Sequence, residues 1–156
     1  MISENHSEKT FPLPQMNWLI SSFHHWTGRH LIDPKLSAES RARALFTAPF
    51  GVVAHNTDND PIFNYGNQTA LELFEIDWST FTRLPSRQSA EPVNRQERDE
   101  LMSRVTQQGY IDDYRGVRIS SRGNRFMLED AIVWNIIDDK ADYRGQAAVF
   151  YEWSML

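Results

Sequence analysis

Polar and charged side chains interrupt several stretches that otherwise have the pattern of apolar strands. A buried polar group without a hydrogen-bond partner costs on the order of 1 to 3 kcal/mol, so such groups either pair with one another or bind a ligand. Arg118 and Glu129 fall on neighbouring predicted strands, and we predict a cross-strand ion pair between them. The full set comprises His55, Asn64, Arg115, Arg118, Glu129, Asp130, Asn135 and Gln146.

The spacing of the acidic residues and the histidines indicates neither a metal site nor a catalytic motif. The acidic turn at residues 58–64 lacks the oxygen ligand and the glycine that a calcium loop needs at its fifth and sixth positions. The adjacent Glu129 and Asp130 point to opposite faces of a strand, so they do not form a catalytic pair. The histidines near the first predicted helix lack the i, i+4 spacing of a metal site: His24, His25 and His30. We therefore predict neither a metal nor catalytic residues, and an acid–base enzyme using His55 with a carboxylate is the least favoured alternative.

Composition and charge restrict the classes of partner. The 156 residues carry a formal net charge of -5, which disfavours direct binding to nucleic acid or to an anionic membrane. No cysteine is present, which excludes disulfides, thiolate metal sites and a flavin–cysteine adduct. Neither an export signal nor an apolar run of membrane-spanning length is found, so the expected location is cytoplasmic.

The N-terminal part predicts two helices within residues 15–48, preceded by a flexible tail at residues 1–14. The first helix has apolar residues at the i, i+3, i+4 and i+7 positions of an amphipathic helix, namely Met16, Leu19, Ile20, Phe23 and Trp26. The second is predicted from Asp33-Pro34 to Phe46.

The remaining residues predict an α+β core at residues 50–154, within a single domain spanning residues 15–156. A hairpin of two strands is followed by helices capped by Asn67, Asp77 and Asn94, the last with Glu97 completing a capping box. Three consecutive antiparallel strands complete the core. The predicted strands span residues 50–55, 61–65, 110–120, 125–137 and 145–153.

The long predicted strand is apolar on both faces. Strict alternation places Phe126, Leu128, Asp130, Ile132 and Trp134 on one face and Met127, Glu129, Ala131, Val133 and Asn135 on the other. A solvated sheet is polar on one side, so a second layer must cover this sheet. The amphipathic helix from Gln15 is the available cover, either within one chain alone or also as the interface of a homodimer through the N-terminal helices.

Five antiparallel strands with a helical insert between strands 2 and 3 resemble the plan of a PAS domain. Local motifs resemble the MEKHLA domain: Val53-Ala-His55, Asp60-Pro-Ile-Phe-Asn-Tyr-Gly-Asn67, Thr69-Ala-Leu-Glu-Leu-Phe74, Leu84-Pro-Ser86, Ser89-Ala-Glu-Pro92 and Gly109-Tyr-Ile-Asp-Asp-Tyr-Arg-Gly-Val-Arg-Ile-Ser120. The resemblance implies a PAS-like, non-enzymatic sensory module governing association. Members of the family occur alone in bacteria and algae. In plants the domain forms the carboxyl-terminal end of homeodomain-leucine-zipper regulators. Neither a homeodomain nor zipper heptads are present here, so the DNA-binding role is not carried over.

A small-molecule pocket is the expected site, between the sheet and the helical insert. Such pockets are apolar with a few convergent polar groups. The candidate lining residues are His55, Phe63, Asn64, Tyr65, Phe74, Trp134 and Asn135. The identity of a ligand or cofactor is left open. The alternative is a ligand-free interaction or dimerisation domain, whose pocket is filled by its own side chains.

Overall fold

Two helices, a β-hairpin, a helical insert and a meander of strands follow one another along the chain. The structure is a computed structural model that describes residues 11–156. Within that range no helix is both long and apolar enough to span a membrane. The elements are α1 (Leu13–Thr27), α2 (Ala38–Phe46), β1 (Gly51–His55), β2 (Phe63–Gly66), α3 (Gln68–Phe74), α4 (Trp78–Phe81), α5 (Pro92–Gln108), β3 (Tyr110–Ile119), β4 (Arg125–Ile137), β5 (Tyr143–Phe150) and β6 (Glu152–Met155), with a 3-10 turn at Ser86–Ser89.

All the strands pair in one antiparallel sheet of order β2-β1-β5-β4-β3. The final predicted strand is divided at Tyr151 into β5 and β6, and β6 pairs with the first residues of β4. The predicted α+β arrangement, an antiparallel sheet with a helical insert between strands 2 and 3, is confirmed, with the fifth strand present as two segments.

Local capping explains where the inserted helices begin. The side chains of Asn67 and Asp77 each accept a hydrogen bond from the backbone N–H three residues on, as predicted. The predicted cap at Asn94 is wrong. Helix α5 starts earlier, at Pro92 with Glu91 before it, because proline has the φ angle of a first helical turn and lacks the N–H that would go unpaired there.

The predicted tail at residues 1–14 is wrong over its last four residues. Phe11 is buried, with its ring 4.8 Å from that of Tyr65, and α1 begins at Leu13 with a proline in its first turn. The rest of the predicted tail, residues 1–10, lies outside the described residues.

An outer core lies between the sheet and the N-terminal helices. The Trp134 indole donates to the Leu19 carbonyl at 3.2 Å, and Ser22 exchanges two hydrogen bonds with the backbone of Ile137. The prediction that the first helix covers the second face of the sheet is therefore confirmed. Other members of this core are Met16, Phe23, Leu45, Val52, Tyr65, Ile132 and Val149.

An inner core lies on the opposite face, under the helical insert of α3, α4 and α5. Its aromatic centre stacks Phe63 on Phe81, with ring centroids 4.2 Å apart. Other members are Phe74, Leu101, Val105, Tyr114, Phe126, Leu128, Ala131, Val133 and Phe150.

Strict alternation along β4 is broken at Asp130, whose φ is 48°. Phe126 and Leu128 therefore lie in the inner core, whereas Ile132 and Trp134 lie in the outer one, and the predicted grouping of these four on one face is wrong. The irregularity at Asp130 lies beside the break between β5 and β6 on the neighbouring strand. In both strands, alternate side chains therefore switch from one face of the sheet to the other at this level. Such a local disruption is the effect of a β-bulge.

Candidate ligand cavity

A cavity of about 50 Å³ lies between the inner face of the sheet and the helical insert. Most of its wall is apolar, from residues such as Val53, Phe63, Phe74, Leu101, Leu128, Val133 and Phe150. The polar residues of its wall are His55, Ser86, Ser89, Arg98, Tyr114, Arg118 and Gln146. An apolar enclosure with a few converging polar groups is the ordinary form of a small-molecule site.

Three predicted pocket residues line this cavity, namely His55, Phe63 and Phe74. Tyr65 and Trp134 lie in the outer core, on the far side of the sheet. Whether any of these residues contacts a ligand stays a prediction.

Two further predicted pocket residues lie close by but outside the wall. Asn64 lines a separate groove beneath α1, together with Trp18 and Arg144. Asn135 lies behind the cavity wall, hydrogen-bonded to Gln146. Neither contributes to the cavity itself.

His55 ends β1 with its ring buried against the cavity. Its Nδ1 lies 2.8 Å from the carbonyl oxygen of Asn56, and since a carbonyl only accepts, Nδ1 carries the proton. Burial lowers the pKa of His55, the Arg98 charge lowers it further, and the Asn56 carbonyl and the Gln146 side chain oppose the shift. The Gln146 side chain opposes the shift because its oxygen can accept from the protonated ring. In the neutral ring Nε2 is an acceptor, and the amide hydrogens of Gln146 are donated to Met102, Thr106 and Asn135, so the described residues supply no donor to Nε2.

Arg98 reaches the cavity from α5 and is only 4% exposed. Its guanidinium donates to the Ser86 hydroxyl and, at 3.1 Å, to Asp99, whose side chain is 70% exposed. Burial lowers the pKa of Arg98, and the positive charge of Arg118 acts in the same direction. A guanidinium nevertheless stays protonated in proteins, so Arg98 places a charge at the cavity.

Arg118 brings a second charge to the cavity, and it is 7% exposed. Its guanidinium donates to the Val117 carbonyl at 2.9 Å and lies 5.5 Å from the centre of the Tyr114 ring. The predicted ion pair with Glu129 is wrong, because Glu129 accepts from Arg115 at 2.9 Å. The face change at Asp130 and the irregular register of β3 place Glu129 beside the exposed Arg115, whereas Arg118 points inward.

Tyr114 supplies a hydroxyl that is buried without a hydrogen-bond partner among the residues described. The ring lies on β3 beside Arg118, and the hydroxyl packs over Gly116, whose missing side chain leaves room for it. An orphan donor at a cavity wall marks a group that can bind a ligand at little cost.

A hydrogen-bond network connects the cavity wall to α5 and α1. The Gln146 amide donates to Asn135 Oδ1 at 3.1 Å and to Thr106 Oγ1 at 3.0 Å, and Asn135 Nδ2 donates to the Val105 carbonyl at 3.0 Å. On the other side of the sheet, the Trp26 indole of α1 donates to the Asn135 carbonyl at 2.9 Å. One short chain of bonds therefore joins the cavity to both helices.

The arrangement is electropositive, with two guanidinium groups and no Asp or Glu in the wall. Over residues 11–156, no group of three or more His, Asp or Glu side chains could hold a metal ion. His55 and a carboxylate are not brought together in this wall, because no Asp or Glu lines it.

The sequence prediction missed Arg98, although a signal for it existed. Arg98 precedes Leu101, Met102 and Val105 by three, four and seven residues, so it falls on the thin apolar stripe of α5. A charged residue at a core position of such a helix is a candidate site residue.

Comparison with known proteins identifies relatives over nearly the whole chain. The model of the MEKHLA domain matches residues 14–155. The homeobox-leucine zipper protein ATHB-14 of Arabidopsis thaliana is 24% identical over 148 residues, a match covering 92% of this chain but 17% of that protein. The chain thus corresponds to a small part of its plant relative.

Solved structures with a similar fold are PAS and light-oxygen-voltage domains. A PAS domain from Colwellia psychrerythraea has a TM-score of 0.63 at 15% identity, covering 76% of this chain and 95% of that one. A light-oxygen-voltage domain studied with a flavin analogue has a TM-score of 0.60 at 17% identity, covering 75% and 84%. At these identities the likeness concerns the fold alone.

Proposed function

Because the chain belongs to the MEKHLA domain family and has a PAS-like fold, we propose that it is a sensory module that binds a small molecule in the cavity between sheet and helical insert. The observation that carries the proposal is the pair of unsatisfied polar atoms at the cavity, Tyr114 Oη and His55 Nε2. Interior polar atoms are nearly always hydrogen-bonded, so two orphans at one cavity favour a binding site over an ordinary core. The proposed role is non-enzymatic signalling in the cytoplasm.

The size of the cavity limits the ligand to a few atoms. A benzene ring occupies a cavity of roughly 150 Å³, and the cavity here is about 50 Å³. The three fused rings of a flavin need several times this volume, and the chain has no cysteine to form a flavin adduct. The residues present therefore do not fit the flavin of the light-oxygen-voltage neighbour.

The proposed output is a change in the packing of the N-terminal helices. A ligand that contacts Gln146 alters the bonds from Gln146 to Asn135 and Thr106, and hence the contact between Asn135 and Trp26 of α1. A signal needs different affinities of the ligand for two such arrangements. The consequence would be altered association with a partner protein.

A second candidate function is a ligand-free interaction or dimerisation domain, and the small size of the cavity favours it. The apolar face of α1 is already buried against the sheet, through residues such as Leu19 and Phe23. A homodimer through the N-terminal helices would therefore use the solvent side of α1, where Trp18 and Ile20 are half-buried.

Native mass spectrometry of the protein purified from its own host separates these candidates. A reproducible mass excess that denaturation releases is the expected result, and a clean apo mass in every preparation would refute ligand binding. Ala148→Val, which adds methyl groups at the cavity wall, should abolish the excess. Ala42→Val, a matched change beside the outer core, should leave it intact. The same spectra report monomer or dimer.

A further inference from the structure

We propose that the cavity binds a short-chain monocarboxylic acid, whose carboxylate is held by Arg98 and Arg118. This inference rests on the proposed function, because it assigns a chemical class to the ligand of the same cavity.

The charge of the wall is the first argument. Arg98 and Arg118 are 4% and 7% exposed, and no carboxylate lines the cavity between them. Asp99 contacts Arg98 from the solvent side, and no described carboxylate forms an ion pair with Arg118. Buried like charges are strongly unfavourable unless an anion compensates them. A bound anion would supply the missing charge.

The shape of the wall favours a carboxylate over a phosphate. A guanidinium presents its donors in a planar fork that matches the two oxygens of a carboxylate. The rest of the wall is mostly apolar, with residues such as Phe63, Phe74 and Leu101. A phosphate would expose oxygens to this wall, whereas a short acid places carbon there.

The two orphan atoms indicate what else the ligand carries. The Tyr114 hydroxyl can donate to the carboxylate, because Tyr114 lines the same cavity as Arg118 and its hydroxyl has no described partner. His55 Nε2 is an acceptor, since Nδ1 carries the proton, and it therefore matches a hydroxyl donor on the ligand. Glycolate, with a carboxylate and a hydroxyl on two carbons, should consequently bind more tightly than acetate.

The test is a titration of the full chain, after denaturation and refolding to remove any resident ligand. Sodium acetate and sodium glycolate are added up to about 20 mM at constant ionic strength, and amide shifts are followed by two-dimensional NMR. The ceiling on affinity per atom limits acetate to a Kd of tens of micromolar at best. Saturable shifts at the cavity are expected for both acids, with glycolate about tenfold tighter, and none for benzoate or chloride. Inorganic phosphate, titrated in the same way, should bind more weakly than either acid.

Matched arginine variants locate the charge. Arg118→Met should weaken both acids by at least about tenfold, because it removes a charge-assisted hydrogen-bonding group. Arg115→Met makes the same chemical change three residues earlier on β3, where the side chain is 66% exposed, and should alter affinity by less than about twofold. Arg118→Lys keeps the charge without the planar fork, and weaker binding by this variant tests the same contact if Arg118→Met does not fold.

Three results would overturn the assignment: no saturable binding of either acid, phosphate binding at least as tightly, or affinity unchanged by both Arg118 variants. If the acids fail but protein from the host carries a mass that denaturation releases, the carboxylate assignment is wrong and the proposed function stands. If neither is found, both are wrong.

Discussion

Deleting the hydroxyl of Tyr114 should stabilise the ligand-free protein. The residue is 8% exposed and its hydroxyl has no partner in the part of the chain described. Tyr114→Phe therefore removes no hydrogen bond, while it removes the cost of burying an unpaired polar group. Most truncations of buried residues destabilise a protein, so an increase in stability is a distinctive outcome.

The size of the effect follows from the surroundings of the hydroxyl. An unpaired buried hydroxyl costs about 1 to 3 kcal/mol. The adjoining cavity of about 50 Å³ is large enough to admit water, which reduces the cost, so the lower end of this range applies. We expect the free energy of unfolding to rise by about 1 kcal/mol, or Tm by roughly 2 to 4 °C for a chain of this length.

Ser22→Ala is the matched control, because it deletes a buried hydroxyl that is fully used. Ser22 Oγ donates to the Ile137 carbonyl at 3.1 Å and accepts from the Ile137 N–H at 2.8 Å. Its loss should lower the free energy of unfolding by about 1 to 3 kcal/mol. Urea unfolding of refolded, ligand-free protein measures both variants. If Tyr114→Phe lost as much stability as Ser22→Ala, the hydroxyl would have a partner within the fold and the argument for a binding site would be wrong.

Three further predictions concern His55 in the cavity wall and two residues outside it, Gly145 and Asn67. Since burial lowers the folded-state pKa of His55 below its unfolded value near 6.5, the unfolded chain binds more protons below that pH. The free energy of unfolding should therefore fall on acidification from pH 7 to 5, by at most about 1.4 kcal/mol per pH unit, and His55→Gln should remove this part of the slope in urea unfolding at several pH values. Gly145→Ala should lower the free energy of unfolding by more than about 3 kcal/mol, because φ is 123° and the added carbon would collide with the His55 carbonyl. Gly123→Ala is the control, since its φ is 85° but the added carbon meets open space. It should cost about 1 kcal/mol, as measured by thermal unfolding. Asn67→Ala should lower the free energy of unfolding by at least about 3 kcal/mol, as measured by urea unfolding. The reason is that the buried amide of Asn67 makes four hydrogen bonds, which join α2, β1 and α3. A loss below about 1 kcal/mol would contradict this prediction.

The order of the elements was predictable because local signals determine it. The caps at Asn67 and Asp77 each depend on one side chain and the next turn of backbone, and both are confirmed. The amphipathic stripe of α1 likewise predicted the covered second face of the sheet. Each of these features is encoded within a few consecutive residues.

Two bulges account for most of the errors at the site. The register of β1 with β2 shifts between Ala54 and His55, which leaves Asn64 unpaired across the strands. Phe63 and Tyr65 consequently lie in opposite cores, although alternation assigns them to one face. The irregularity at Asp130 has the same effect on β4. A bulge depends on the partner strand, so alternation within one strand does not reveal it.

The two candidate functions require different things of Arg118, and stability distinguishes them. A ligand-free interaction domain has no need of a charge at the cavity, and burying a charge without a paired carboxylate is costly, so an apolar side chain of similar volume should be tolerated in its place. Arg118→Met should accordingly leave the ligand-free protein at least as stable as the parent, since the change removes repulsion with Arg98 and breaks only the bond to the Val117 carbonyl and the stacking on Tyr114. If ligand binding requires the charge, Arg118→Met should no longer bind acetate or glycolate, although its free energy of unfolding is not reduced. Titration and urea unfolding of the same preparation measure the two effects. A loss of about 3 kcal/mol or more would instead show that Arg118 holds the fold together, and its charge would then no longer argue for an anionic ligand.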